Sequence, residues 1–349
     1  MKIKIKKKTF FDSKNRPLLI AEISANHCGN KKSFLNHIIK AKQAGADLIK
    51  IQTYEPDDIT IKSSEKNFKI KEGLWRGKKL WDLYYEAKTP YAWHQDAFNL
   101  AKKIGAILFS TPFSIRALKF LEKFNPPLYK IASFEITDLK IIYEIAKTRK
   151  PIIMSTGMAN VYEIKKAIKL INKFHNKIVL LYCVSGYPTP EGESNIKTIN
   201  TFKKFFKNNL IGLSDHTNSI SSSLAAIPLG VVAIEKHFKV SSKTNSHDKD
   251  FSLNQSLFKK LSNYTKSIHN NLGDDKIRLK ASEKKSLMLR RSIFATREIK
   301  KNEKFSKMNI ETFRPKIGMG AENYFKIIGK RSKKKISKYE AIYKKSVRF

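Results

Sequence analysis

Cysteine and long apolar runs are scarce in this 349-residue chain. Its two cysteines, Cys28 and Cys183, are too few for a disulfide framework and fit a reducing compartment. No apolar run approaches the roughly 18 residues that a membrane span needs. The basic start MKIKIKKKTFFDSK also lacks the apolar stretch that follows in a signal peptide. These absences predict a soluble, cytoplasmic protein that has no membrane partner.

Acidic residues are also few, since 30 aspartates and glutamates face 70 lysines and arginines, for a net charge of +40. A basic excess of this size is typical of nucleic-acid binding. Here, however, the lysines are spread along the whole chain, without an arginine-rich arm or an aromatic RNA-binding motif. We therefore expect solvated helix faces and no nucleic-acid partner. A polyanion-binding protein built on an inactive scaffold is the alternative, and steering of an anionic substrate stays open.

Short apolar runs that end in polar residues are abundant, and there are eight of them. They are LLIAEIS, DLIKIQT, AILFSTP, LYKIASFE, PIIMSTG, IVLLYCVSGYP, LIGLSDHT and VVAIEKHF. Amphipathic stretches with helical spacing separate them. This alternation predicts parallel strands joined by right-handed crossovers, and eight units favour an α/β fold of the closed (β/α)₈ TIM-barrel type. Such barrels carry their active sites at the C-terminal ends of the strands, so the polar strand ends predict an enzyme.

The pattern changes after the last run and divides the chain. We predict a barrel domain over 1–275, a polar linker over 276–286 and a small, mostly β domain over 287–349. Residues 2–6 alternate between polar and apolar types, which predicts one further short strand. The segment 57–88 is too long for an ordinary loop, and long segments at the strand-end face commonly build binding sites.

Two histidines, His216 and His237, follow neighbouring predicted strands. Imidazoles so placed can share one divalent metal ion. Two protein ligands would leave positions for water and substrate, which is typical of a catalytic ion. The alternative is two histidines that serve packing alone, and the spacing does not decide between them.

Lys50 and Lys130 end the second and fourth predicted strands. Hydroxyl residues also lie at predicted strand ends, namely Thr111, Ser133, Ser155 and Ser214. Together these groups could surround a phosphate or a carboxylate. The alternatives are that each hydroxyl caps the following helix and that a lysine forms a Schiff base. The number of anion-binding donors favours ion pairing.

Two carboxylates, Glu22 and Glu135, lie in otherwise apolar or small-residue surroundings. Buried acids are costly unless they are used or paired, so both are candidates for a general base and a cation stabiliser. The alternative is a structural ion pair with Lys50 or Lys130. Cys28 and Cys183 are interpreted as bystanders rather than nucleophiles, and apolar packing explains Cys183.

In chain order, AEISANH, KIQTY, FSTPF, KIASFE, STGM, YPTPE, GLSDHT and IEKHF resemble the nonulosonic acid synthases, the sialic acid synthase group. The resemblance covers residues 17–349. The segment LWRGKKLWDLYYEAKTPYAWH is similar to the pseudaminic acid branch of that group rather than to the N-acetylneuraminate branch. RRSIFAT and Phe313-Arg314-Pro315 in the tail resemble the C-terminal antifreeze-like (SAF) domain of these enzymes.

The resemblance implies condensation of phosphoenolpyruvate with an open-chain amino-sugar aldehyde, release of phosphate, and a domain-swapped homodimer. It implies a divalent cofactor, Mn²⁺ or Mg²⁺, held by His216 and His237. Glu22 would act on water or on the ligand shell of the metal, and Glu135 would stabilise the cation that develops at C2. The residues implied to bind phosphoenolpyruvate are Lys50, Thr111, Lys130, Ser133, Ser155 and Ser214; those implied to bind the sugar are Tyr187, Asp248 and, from the partner chain, Arg314.

Overall fold

The computed structural model describes residues 1–7 and 9–349. These form two compact units, Met1–Gly273 and Asp274–Phe349. Within the described residues, no helix is long and apolar enough to cross a membrane.

The first unit opens with an antiparallel hairpin of β1 (Lys2–Lys6) and β2 (Thr9–Asp12). The strand predicted at residues 2–6 is therefore confirmed. Eight parallel strands then close a barrel in the order β10-β3-β4-β5-β6-β7-β8-β9. They are β3 (Leu18–Glu22), β4 (Leu48–Thr53), β5 (Leu108–Pro112), β6 (Tyr129–Ile131), β7 (Ile152–Ser155), β8 (Ile178–Cys183), β9 (Leu210–Asp215) and β10 (Ala233–His237). Each contains residues of one of the eight apolar runs, so the TIM-barrel prediction is confirmed.

The helices of this unit run between and after the barrel strands. They are α1 (Lys31–Gln43), α2 (Leu80–Ala87), α3 (His94–Lys103), α4 (Ile115–Glu122), α5 (Leu139–Lys147), α6 (Val161–Ile171), α7 (Thr198–Phe205), α8 (Ser221–Ala226) and α9 (Gln255–Leu272). Side-chain caps start several of them: Asp138 accepts from the first turn of α5, and Asn160 forms a capping box with Glu163 on α6. Helix α2 lies inside the segment 57–88, where the sequence did not predict a helix.

The barrel strands bury both faces, one against the surrounding helices and one in the barrel interior. The interior cluster includes Ile3, Ile5 and Phe11 of the hairpin, which pack with residues from the beginnings of the strands. Successive strand residues face opposite sides. Two positions beyond an interior apolar residue, the chain therefore faces inward again, now at the C-terminal mouth. Ile20 is followed in this way by Glu22, and Leu48 by Lys50.

The second unit has its own small apolar core, which includes Ile293, Phe305 and Ile342. Its regular elements are β11 (Ser292–Ala295), β12 (Ile310–Phe313), α10 (Tyr324–Ile327), β13 (Arg331–Ser332) and β14 (Val347–Arg348). β11 pairs with β12 and β13 with β14, both antiparallel. The unit therefore has antiparallel β structure, while its identity as an SAF domain stays a prediction.

Candidate active site

The centre of the barrel mouth is a buried group of four charges carried by four strands. Lys50 Nζ lies 3.0 Å from Glu22 Oε2 and 2.8 Å from Glu235 Oε1. Lys130 Nζ lies 3.0 Å from the same Glu235 oxygen. Ser214 Oγ donates to that oxygen at 3.4 Å. The strand alternation aims all four charged side chains inward, and each ion has a counter-ion in place.

The electrostatics of this group depend on how burial competes with ion pairing. Burial alone would raise the pKa of Glu235, but Lys130 and Lys50 hold it far below its ordinary range. Burial, together with repulsion by Lys130, lowers the pKa of Lys50 to about 7 despite the attraction of Glu235. Lys50 is therefore only partly protonated near neutral pH, and an arriving anion would stabilise its charged form.

The predicted hydroxyl residues lie at or just after the C-terminal ends of β5, β6, β7 and β9. Thr111 Oγ1 and Ser155 Oγ are buried and have no hydrogen-bond partner among residues 1–7 and 9–349. Ser133 Oγ accepts from the Gly157 amide at 3.1 Å. The alternative that these hydroxyls cap helices is not what the structure shows, because Ser114, Asp138 and Asn160 cap the helices that follow β5, β6 and β7. Uncommitted buried donors beside two lysines are a fitting environment for a phosphate or carboxylate.

The two predicted carboxylates have different surroundings. Glu22 is fully buried and forms the ion pair with Lys50 that the sequence left as an alternative. Glu135 forms no ion pair within the described part of the chain, where its Oε2 atom also has no hydrogen-bond partner. Burial raises the pKa of Glu135 to about 7. Glu135 can therefore exchange a proton near neutral pH, whereas Glu22 is held as a counter-ion.

His216 and His237 lie together beside the charged group, with ring centroids 5.5 Å apart. His216 Nδ1 is 2.9 Å from the Val184 carbonyl oxygen. If Nδ1–H donates there, Nε2 keeps its lone pair, which is the usual second-shell arrangement of a ligating histidine. Burial lowers the pKa of His237 to about 4, so its ring is neutral. Its Nδ1 lies 3.6 Å from Asp248 Oδ2.

These two imidazoles fit a divalent ion as a pair. In the described residues, no three His, Cys, Asp or Glu side chains cluster as metal ligands. A metal at this point would therefore take its other ligands from water or substrate, as catalytic ions do. Buried Asp248, whose pKa the nearby His237 holds below its ordinary value against the effect of burial, would orient that ring.

The two remaining predicted sugar-binding residues differ in position. The Tyr187 ring lies 4.4 Å from that of His216, so it is adjacent to the pair of histidines. Arg314 belongs to the second unit and follows β12 directly, and its peptide bond to Pro315 is cis. Its role stays a prediction.

Two residues at the mouth, Glu235 and Cys183, were not predicted as site residues. Glu235 joins both lysines, and it could have been found because it precedes His237 by two positions on the same strand face. Cys183 was attributed to packing, yet its sulfur lies 3.8 Å from His216 Nδ1 and 3.5 Å from Ser133 Oγ. No sequence signal separated it from an ordinary buried cysteine.

Comparison with known proteins shows which family the chain is similar to. A model described as the NeuB family matches residues 37–277. The chain is 40% identical over 333 residues to a pseudaminic acid synthase of Campylobacter jejuni, covering 95% of this chain and 97% of that protein. It is 38% identical to a pseudaminic acid synthase of Helicobacter pylori, covering 91% and 94%. The crystal structure of N-acetylneuraminic acid synthetase from Leptospira borgpetersenii, in complex with citrate, superposes with a TM-score of 0.73 at 28% identity, covering 82% of this chain and 95% of that one.

Proposed function

This chain belongs to the NeuB family, and we propose that it is a pseudaminic acid synthase. It would condense phosphoenolpyruvate with the open-chain aldehyde of 2,4-diacetamido-2,4,6-trideoxy-β-L-altrose and water, giving pseudaminic acid and phosphate. One observation carries this proposal: a buried anion-binding group of lysines and hydroxyls lies at the same strand ends as a pair of histidines. A substrate with phosphate, carboxylate and a reactive enol carbon needs this combination.

The anion-binding side would hold phosphoenolpyruvate. Lys50 and Lys130 supply two positive charges in a water-poor site, and Thr111 and Ser155 supply buried hydroxyls that can donate. Hydrogen bonds between ions are stronger than neutral ones and fix geometry as well as charge. Binding in this way would orient the enol carbon for attack. This lowers the activation barrier, because the translational and rotational entropy of the substrate is already given up on binding.

The bond changes follow from this placement. C3 of phosphoenolpyruvate attacks the aldehyde carbon, and the aldehyde oxygen takes a proton to become a hydroxyl. Positive charge develops at C2, which ionised Glu135 would stabilise. Water then adds to C2 and gives up a proton. Glu135, whose pKa is about 7, is better suited to accept that proton than ion-paired Glu22, the general base suggested by the family resemblance. The C2–O bond to phosphate breaks last, and the departing oxygen takes the bond's electrons and a proton. The C2 hydroxyl loses its proton at the same time and becomes the ketone of the open-chain acid, so the two protons of the added water end on the former aldehyde oxygen and on phosphate.

His216 and His237 would hold the divalent ion, Mn²⁺ or Mg²⁺. When bound, such an ion supplies Lewis-acid polarisation of the aldehyde oxygen. The residues of this chain contribute one imidazole nitrogen from each histidine and, through Asp248, the orientation of the His237 ring.

A phosphate-release assay tests the proposal. The protein is given phosphoenolpyruvate and one of three sugars: the altrose derivative, N-acetylmannosamine or the 2,4-diacetamido-6-deoxy analogue of the latter. We expect release with the altrose derivative at the highest kcat/KM. Phosphoenolpyruvate labelled with ¹⁸O at the bridging position should give labelled phosphate, because the C–O bond breaks. Higher kcat/KM with either other sugar would redirect the proposal to N-acetylneuraminate or legionaminic acid synthesis.

We further propose that the second unit is an SAF domain that completes the site of the partner subunit in a homodimer, where Arg314 contacts the acylamino group of the sugar. Two inactive variants, His216→Ala and Arg314→Ala, test this when they are mixed and allowed to exchange subunits. A swapped arrangement leaves one intact site in each mixed dimer, so roughly a quarter of wild-type activity returns. If Arg314 serves its own subunit, no mixed dimer has an intact site and no activity returns.

A further inference from the structure

Trp75 forms an aromatic wall with Tyr187 and Phe251 in the barrel unit. The ring centroids of Trp75 and Tyr187 are 6.1 Å apart, those of Trp75 and Phe251 are 6.4 Å apart, and those of Tyr187 and Phe251 are 5.1 Å apart. Trp75 comes from the segment 57–88, whereas Tyr187 follows β8 and Phe251 follows β10. Three separate parts of the chain therefore converge on one apolar surface.

The orientation of the Trp75 ring is fixed by hydrogen bonding. Its Nε1 donates to the carbonyl oxygen of His247 at 3.2 Å. The same His247 contacts Glu86 of helix α2 through its side chain, with Nε2 3.1 Å from Glu86 Oε2. The long segment is thus joined to the loop after β10 at two points. Because the polar edge of the indole is used in this way, its apolar faces remain for packing.

The wall begins at the two histidines, His216 and His237, and extends away from them. Phe251 lies 4.7 Å from the ring of His237, and Tyr187 lies 4.4 Å from that of His216. Trp75 contacts both of these aromatics and is one ring further out. If the aldehyde end of the sugar is at the histidines and the extended chain follows these rings, its opposite end lies at Trp75.

We propose that Trp75 determines specificity for the far end of the sugar, favouring a terminal methyl group over a terminal hydroxymethyl group. This inference rests on the proposed function, since it assumes that the aldehyde end lies at the histidines. A methyl group packs against an aromatic face without losing any hydrogen bond. A hydroxyl group placed against the ring face of Trp75 gives up its hydrogen bonds to water and gains no partner from that ring.

Two variants of similar side-chain size and opposite polarity test the proposal, Trp75→Leu and Trp75→Gln. Steady-state kinetics would compare the 6-deoxy altrose derivative with its counterpart that carries a hydroxyl at C6. Wild-type protein should prefer the 6-deoxy sugar in kcat/KM by about 10-fold or more, the range that one group in an apolar pocket provides. Trp75→Leu should keep most of this preference, and Trp75→Gln should lose it through a higher KM for the 6-deoxy sugar. The KM for phosphoenolpyruvate should stay constant in both.

Trp81→Gln is the matched control. Trp81 lies in the same segment, but its ring stacks on Tyr85 and its Nε1 donates to Asp57. The sugar preference of this variant should equal that of wild type. Equal losses for both sugars in Trp75→Gln, or a wild-type protein without preference, would overturn the inference and leave the proposed function standing. Wild-type protein that releases no phosphate with any amino sugar would overturn both.

Discussion

Replacing Glu235 by glutamine removes one negative charge from the centre of the buried charged group and changes little else in size. Glu235 is 2% exposed, and one of its oxygens faces Lys50 at 2.8 Å and Lys130 at 3.0 Å. The variant leaves two buried ammonium groups with Glu22 as their counter-ion, 3.0 Å from Lys50. Lys130 then lacks the carboxylate that it contacts in the native site.

The cost follows from the physics of buried ions. Removing one partner of a buried pair typically costs about 3–5 kcal/mol, because the other charge stays desolvated and unpaired. Lys50 offers partial relief, since its pKa is already lowered to about 7 and would fall further without Glu235. In both proteins the unfolded state holds the lysine proton up to about pH 10.4. The deficit of the variant should therefore be largest near pH 6, where native Lys50 is charged, and smaller near pH 9, where it is neutral in both.

Urea unfolding at pH 6 and pH 9, followed by circular dichroism, measures these differences. Glu144→Gln is the matched control, because Glu144 pairs with Lys147 at 3.1 Å on the exposed surface of α5. Such a pair is worth less than about 1 kcal/mol. If Glu235→Gln is no less stable than this control at pH 6, the buried charged group does not have the energetic role assigned to it.

Three further predictions concern the site and the barrel wall. Because burial raises the pKa of Glu135 to about 7, kcat/KM should fall as the pH drops below that value, and Glu135→Gln should lose this acidic limb while it keeps the alkaline limb that deprotonation of Lys50 produces. Phosphoenolpyruvate binding near pH 8 should take up protons as the anion restores the charge of Lys50; calorimetry in two buffers of different ionisation enthalpy measures the uptake, and equal heats would contradict it. Gly212→Ala should cost about 1–3 kcal/mol in urea unfolding, since a Cβ atom would lie 2.5 Å from Leu181 Cδ2 and 2.7 Å from the Ala233 carbonyl oxygen.

The barrel and the members of its mouth were predictable because both depend on local periodicity. An apolar strand that alternates faces must aim its last inward residue at the mouth, whatever the rest of the chain does. Glu22, Lys50 and Thr111 each follow an interior residue by two positions, and all three lie at the mouth. The sequence therefore predicts which side chains lie at the barrel mouth, but it does not predict which of them contact one another.

The pairing of these groups was not predictable in the same way. Glu22 and Glu135 look alike in sequence, yet Lys50 neutralises the first, and burial leaves the second with a raised pKa. Which carboxylate meets which lysine depends on the stagger of strands that are distant in sequence. The same reason applies to Trp75, whose ring contacts come from residues more than a hundred positions away.

Strand β10 shows what separates a site residue from a structural one when residue types are the same. Glu235 and Lys236 are adjacent, both are buried, and both form ion pairs. Glu235 faces inward with His237 and holds the two lysines of the mouth. Lys236 faces the opposite side of the strand, where its Nζ lies 3.0 Å from Asp215 and it also donates to Thr217. A polar residue at a strand end is therefore a weak indication of function by itself. Once His237 is taken as a site residue, the period of two assigns Glu235 to the mouth and Lys236 to the wall, and this assignment needs no information beyond the sequence.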